Sequence, residues 1–397
     1  MAGLMAANVT AGNNGSLATG DKCPEESGPF SSINRHLEAY AMWYWGIHGY
    51  LSVVICVFGI TTNVLNIVIL TRGAMRTPIN CILTAIAICC LITMSSYIPF
   101  ALHFYIKSTL VPTSTKYSYG WTVYMAVHSN ISVTTHVSSL WLAVFMAIMR
   151  YVYLQTKKCC NLQATCIISA MIGAGASLLM LPNYLMTGVR EVQLENMTLY
   201  KLNEPAIGST NPSRLALTAF WLYAIGGKLI PCTLISVFIG LLLKKLHESA
   251  ARRKRLFASA NKSKKSTQCG RTTRHQCTTT MLLVIIVMYI LTEVPQTFLI
   301  IMSAFSKQFF MNVYMLLADT MDMIALINNA MNFVLYCAMS QQFREHLVVR
   351  VCNGPPQSTR FGKKTYQSVD HSCNNTHTHG DGLCATTATT EKSISHV

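Results

Sequence analysis

Between Trp121 and Met149 the chain carries no Asp, Glu, Lys or Arg, and the run ends on a single cation, Arg150. About 20 apolar residues cross the hydrocarbon of a bilayer at helical rise, and this stretch is longer. The segment through Tyr153 therefore reads as one long, tilted helix, buried over most of its length, with the other spans packed around it. His128 and His136 lie in its first half. The expectation is that a ligand is read at that end and a cytoplasmic partner at the Arg150 end.

Further apolar runs stand at roughly 46–70, 81–105, 163–186, 216–243, 278–303 and 310–337, which with 118–153 makes seven. Only 12% of the residues are charged and 51% are hydrophobic, whereas a soluble domain is about one quarter charged. The fold class expected is all-α, a seven-transmembrane helix bundle over residues 43–339. The formal net charge of +16 is placed beside the apolar runs. That fits anionic membrane lipid and a cytoplasmic partner, and argues against nucleic acid. Arg72 and Arg76, Lys157 and Lys158, and the cluster from Lys244 to Arg274 fall in alternate connections. The positive-inside rule makes these connections cytoplasmic. The N-terminus is then outside and the C-terminus inside, in a multi-pass protein of the plasma membrane. Fifteen cysteines do not make a disulfide scaffold, because most fall within spans or on the cytoplasmic side, where thiols stay reduced. The first residues lack a basic region followed by an apolar core, so the first span is read as the insertion signal.

Residues 1–42 are polar and rich in Gly, Ser and Asn. The expectation is a disordered extracellular tail, glycosylated at Asn8 and Asn14. Asn196, in the longer outer loop 187–215, is a third such site. Past the seventh span, Phe343, Leu347, Val348 and Val351 recur at helical spacing among Arg344, His346 and Arg350. This reads as a short amphipathic eighth helix over 340–352, lying along the inner membrane face. Cys352 at its end is either a palmitoylation site or a free cytosolic thiol. Residues 353–397 read as a disordered cytoplasmic tail open to kinases. Its terminal Ser395-His396-Val397 fits a PDZ groove as an added strand.

Asn63 in the first span, Arg150-Tyr151 in the third, Pro231 in the fifth, Pro295 in the sixth and Asn332-Phe-Val-Leu-Tyr336 in the seventh complete a recognisable set. Over about residues 46–351 the chain resembles the rhodopsin-like (class A) G-protein-coupled receptors. Lys-Leu-Ile-Pro-Cys at 228–232, Arg-Thr-Thr-Arg at 271–274, Thr-Glu-Val-Pro-Gln at 292–296 and Asn-Phe-Val-Leu-Tyr-Cys-Ala-Met-Ser at 332–340 resemble invertebrate myosuppressin, sex-peptide and FMRFamide-like neuropeptide receptors. The resemblance implies a receptor, not an enzyme, for a short amidated neuropeptide, signalling through heterotrimeric G proteins without a cofactor or metal. It gives Asn63, Arg150, Tyr151, Pro231, Pro295, Asn332 and Tyr336 roles in activation and coupling. Arg150 and Tyr336 help form the cavity that accepts the G-protein C-terminal helix.

The chain departs from that pattern at several points. Met149 stands where the acid beside the arginine is usual, Cys90 where the second span has an aspartate, Glu293 where the sixth has a tryptophan and Phe333 where the seventh has a proline. The cysteine at the top of the third span falls near Met125, and the 187–215 loop has no cysteine, so the common outer disulfide is absent.

An ionisable group inside a membrane is costly and needs a partner or water. Glu293 has two readings. One is a protonated Glu hydrogen-bonded between helices. The other uses the family geometry, which puts His136 near it: a His136–Glu293 pair would hold one helix arrangement and release it when a ligand moves the sixth helix at Pro295. Asp319 and Asp322, three apart, share one helix face. They are either a helix end open to outer water or a carboxylate pair for the arginine of a peptide ending Arg-Phe-amide. Tyr97, Phe100, Phe104, Trp121 and Tyr314 supply aromatic walls, and His128, Lys228 and Gln296 complete the ligand-binding candidates.

Other classes fit poorly. A retinal Schiff base needs a lysine in the seventh span, and Lys307 lies before it. No repeat suggests a transporter, no connection reads as a channel filter, and no His/Asp cluster suggests an intramembrane hydrolase. The remaining alternatives are a chemosensory receptor for an external small molecule and a G-protein-independent decoy or scaffold.

Overall fold

The computed structural model describes residues 29–108, 111–156, 160–194, 197–203, 213–259 and 290–339, with residues 284, 287, 288, 343, 344 and 347. The charge-free runs fold as helices, since hydrocarbon leaves the backbone only its own groups to bond. In order these are α1 (Pro29–Leu70), α2 (Pro78–Ala101, prolonged by a π turn at Leu102–Ile106) and α3 (Tyr119–Thr156). α4 (Leu162–Leu179, with a further turn at Leu181–Met186) leads to a hairpin of β1 (Val189–Leu194) and β2 (Met197–Leu202). α5 comprises Arg214–Trp221, a π segment at Leu222–Leu229, and Ile230–Ser259. α6 is described over Ile290–Phe305. α7 comprises Lys307–Phe309, a π turn at Phe310–Tyr314, and Met315–Met339. Six of these helices are long and apolar enough to cross a membrane, and Ile290–Phe305 is a shorter apolar helix within the described residues. Together they make the seven-helix bundle.

Local chemistry sets the helix starts. Thr77 accepts from the Asn80 N–H at 3.2 Å ahead of Pro78, Ser213 from Ala216 at 3.1 Å, and Ser306 from Phe309 at 3.2 Å. Each supplies an acceptor to an N–H that the first turn leaves unpaired. Pro99 lies inside α2 without an N–H of its own, and the π turn follows within three residues.

Helices in lipid associate through close packing more than through the hydrophobic effect. α3 is packed against α2, α4, α5 and both strands, and Val137, Leu140, Ala143, Met146 and Ala147 on it are fully buried. α1 lies along α2 and α7. A Cβ at Gly49 would stand 2.6 Å from the Tyr105 Cβ, so glycine there lets α1 reach the end of α2.

Two boundaries differ from the sequence reading. Residues 29–42, expected to be disordered, are helix in α1, tied to α7 by the Tyr40–Thr320 hydroxyl pair at 3.0 Å. Residues 244–259, expected as loop, continue α5. Lys, Arg, Glu and Ala favour the helix there, helped by a Lys245–Glu248 contact at 3.3 Å.

The 187–215 connection holds an antiparallel hairpin in the register Val189↔Leu202 to Leu194↔Met197. With no cysteine in this segment, hydrogen bonds fasten it. The Tyr200 N–H donates to the Tyr117 carbonyl at 2.9 Å, and the Thr122 hydroxyl donates to the Tyr200 carbonyl at 3.0 Å. Leu199 between them is fully buried. Lys116 beside this joint is buried, with its ammonium 5.5 Å from the Trp45 ring and 5.6 Å from the Tyr117 ring.

Asn8, Asn14, Asn196, Cys352 and the tail beyond it lie outside the described residues. Of the expected eighth helix, Phe343, Arg344 and Leu347 are described. Phe343 packs edge-on against Phe333 at 5.8 Å, and Arg344 donates to the Cys337 carbonyl at 3.0 Å.

Candidate functional site

α3, α5 and α6 meet at four polar side chains. The Lys228 ammonium, 0% exposed, lies 2.7 Å from Glu293 Oε2, 2.8 Å from Gln296 Oε1 and 2.5 Å from His136 Nε2. Glu293 is 2% exposed. An ammonium has three protons to donate, and these are three acceptors. His136 Nε2 also lies 3.1 Å from Glu293 Oε2. One nitrogen cannot both accept from Lys228 and donate to Glu293. The arrangement in which Lys228 serves all three acceptors leaves the imidazole proton on Nδ1. The family geometry puts His136 near Glu293, and the structure brings them together. It also adds Lys228 as a nearer partner of Glu293, with His136 alongside. The π segment of α5 contains Lys228. Its extra residue per turn changes which side chains face inward.

His136 and Gln296 are exposed on the other side to a cavity of about 350 Å³, toward the small end of ligand sites. Its walls include Tyr97, Phe100, His128, Phe220, Tyr223, Phe310 and Tyr314. Lys228 and Glu293 stand behind this lining. His128 bonds the Ser96 hydroxyl at 3.0 Å through Nδ1 and stacks on Phe100 at 4.7 Å. Tyr97 bonds His48 Nε2 at 3.0 Å. Of the expected aromatic walls, Tyr97, Phe100 and Tyr314 line the cavity, but Phe104 and Trp121 do not. Trp121 stacks instead on His103 at 3.7 Å, and Phe104 is fully buried beside it.

The two aspartates part company. Asp322 lines the cavity, and Asp319 does not. Asp319 is buried and accepts a hydrogen bond from the Tyr105 hydroxyl at 2.9 Å. Residues three apart on an α-helix are separated by about 60° around the axis, enough to send one toward α2 and the other into the cavity. Asp319 is held against the end of α2, while Asp322 faces the cavity.

At the other end of the bundle, Arg150 is 8% exposed beside an equally buried Met149. Tyr151 packs edge-on against Phe238 of α5 at 5.9 Å. Asn63 donates to the Gly59 carbonyl at 2.8 Å and to the Asn329 carbonyl at 3.2 Å, joining α1 to α7. Cys90, in the usual aspartate position, has its thiol 3.5 Å from Asn329 Oδ1. Pro231 follows the π segment of α5, and Pro295 lies between Glu293 and Gln296. Asn332 and Tyr336 lie in α7, but their side chains fall outside the described residues. No cluster of metal-ligating side chains occurs among the described residues.

Sequence reasoning named each member of the polar floor but not the Lys228–Glu293 bond. The available signal was charge balance: a cation in the middle of the fifth run and an acid in the middle of the sixth each need a partner.

Comparison with known proteins adds four findings. Residues 50–353 match the family described as serpentine type seven-transmembrane G-protein-coupled chemoreceptor Srw. The G-protein coupled receptor dmsr-1 of Caenorhabditis elegans is 31% identical over 344 residues, covering 76% of this chain and 67% of that protein. The sex peptide receptor of Drosophila melanogaster is 23% identical, covering 82% and 77%. Among solved structures, squid rhodopsin superposes with a TM-score of 0.56 at 14% identity, covering 84% of this chain and 92% of that one, a likeness of fold.

Proposed function

The chain belongs to the serpentine Srw family of seven-transmembrane G-protein-coupled receptors, and on that premise we propose that it is the receptor for a short amidated peptide of the FMRFamide or myosuppressin kind. As a family member it is a multi-pass membrane receptor, not an enzyme, that takes an extracellular ligand and acts through a G protein. The observation that carries the peptide reading is the charge of the cavity. Asp322 brings a carboxylate to a lining that includes Tyr97, Tyr223 and Tyr314 and, among the described residues, holds no Lys or Arg. A guanidinium pairs with a carboxylate and lies well against aromatic faces. The volume of about 350 Å³ suits the last residues of a peptide, with the rest lying across the outer face. The N-terminus is outside on the positive-inside argument, and the end bearing Arg150 receives the G protein. Glycosylation at Asn8, Asn14 and Asn196, palmitoylation at Cys352 and a PDZ partner at Val397 belong to the same reading.

A small-molecule chemosensory role is favoured by the small cavity and by the chemoreceptor description of the family. A G-protein dissociation assay decides between them. Peptides ending Arg-Phe-amide are run beside their free-acid forms and beside small organic cations. Response to the amidated peptides alone supports the proposal. Response to small cations without any peptide response overturns it.

A further inference from the structure

We propose that Cys81 and Cys166 form a peroxide-sensitive thiol pair, closing to a disulfide that joins α2 to α4 at the end of the bundle bearing Arg150. Cys81 lies three residues into α2 and Cys166 four residues into α4. At helical rise both are within about 6 Å of their helix starts, near the membrane–water boundary and away from the hydrocarbon centre. α2 and α4 pack directly, and the two sulfurs are 2.8 Å apart. A disulfide bond is about 2.05 Å long, so closure needs about 0.75 Å of relative movement. Cys166 is exposed and Cys81 half-buried. That division suits a redox pair: the accessible thiol meets the oxidant and the sheltered one resolves the product.

The chemistry balances with a hydroperoxide as the two-electron oxidant. The Cys166 thiol gives up its proton and its sulfur attacks one peroxide oxygen; the O–O bond breaks, and the departing hydroxide takes that proton and leaves as water, giving a sulfenic acid. The Cys81 thiol then attacks that sulfur, its proton passing to the departing hydroxide; the S–O bond breaks, and a second water leaves. Two thiols and one hydrogen peroxide become one disulfide and two waters. A thiol reductant reverses the step. The neighbouring cysteine that competes for this role among the described residues is Cys160, also exposed, in the connection just before α4.

The test uses the full-length receptor in lipid nanodiscs, treated with hydrogen peroxide and digested without reduction. The expected product is a cross-linked peptide joining residue 81 to residue 166. It is released by dithiothreitol, retained in Cys160→Ser, and lost in both Cys81→Ser and Cys166→Ser. Cys81 should also lose its labelling by N-ethylmaleimide after peroxide, and regain it after reduction. Three results would overturn the proposal: Cys81 remaining fully alkylatable at peroxide doses that oxidise Cys166, a Cys166 cross-link to Cys160 instead, or Cys166 passing to the sulfinic acid in wild type without a cross-link.

Discussion

Replacing Glu293 by Gln keeps the outline of the side chain and removes the charge that faces Lys228. The lysine stays 0% exposed, with Gln296 Oε1 at 2.8 Å and His136 Nε2 at 2.5 Å as its remaining acceptors. Neither is an anion. Removing one partner of a buried ion pair costs about 3–5 kcal/mol, because the other charge is left uncompensated. The pair links α5 to α6, with α3 joined through His136. If it is made in the resting arrangement and broken when α6 moves, the variant raises the resting state relative to the active one by up to that amount. At about 1.4 kcal/mol per tenfold, 3 kcal/mol moves the equilibrium roughly 100-fold toward the active state. The assay is ligand-free G-protein dissociation by resonance energy transfer, at matched surface expression, where Glu293→Gln should signal well above wild type. Glu293→Gln with Lys228→Met removes both charges. It should recover surface expression if the single variant loses it, while basal signalling stays high. Wild-type basal signalling in well-expressed forms of both variants would refute the reasoning and leave the pair a static part of the core.

Asp322→Asn should lower the potency of an Arg-ended peptide by about 10- to 100-fold, from the 1.5–3 kcal/mol of a hydrogen bond to a charged group. Asp319→Asn, which faces Tyr105, should leave potency near wild type and lower the yield of folded receptor; concentration–response curves read the first and size-exclusion yield the second. Gly49→Ala places a Cβ 2.6 Å from the Tyr105 Cβ, at the root of a side chain that cannot swing aside, and should destabilise by about 1–3 kcal/mol in a thermal-shift assay. Burial holds the Lys116 ammonium down from its usual 10.5 to about 8. Between those values the unfolded chain binds more protons than the folded one, so stability rises with pH across that window. Lys116→Met should flatten the rise in melting temperature.

The seven spans were legible because charge is excluded from hydrocarbon, and Glu293 stood out for the same reason. What the sequence hid was rotation about helix axes. A spacing of three put Asp319 and Asp322 on one face in outline, yet 60° of azimuth decides that only Asp322 reaches the cavity. Lys228 could not be aimed at Glu293 from periodicity alone, since a π segment breaks the 3.6-residue count. The hairpin lies where the sequence reading expects only a long outer loop. The two β-compatible runs flanking Glu195-Asn196 were its local signal.

The π segment at Leu222–Leu229 has a consequence for comparing this chain with its relatives. A π turn is an α-helix carrying one inserted residue. Deleting a residue upstream of Lys228 within it would restore the α register and turn the segments on either side by about 100° relative to each other, carrying the ammonium away from Glu293 while the span remained long enough to cross a bilayer. A relative that lacks this inserted residue should therefore show a one-residue gap in this stretch and lose the lysine–glutamate bond, even where every neighbouring position still looks apolar. An alignment that spreads that gap into the following loop would pair the wrong residues along the fifth helix and hide the difference.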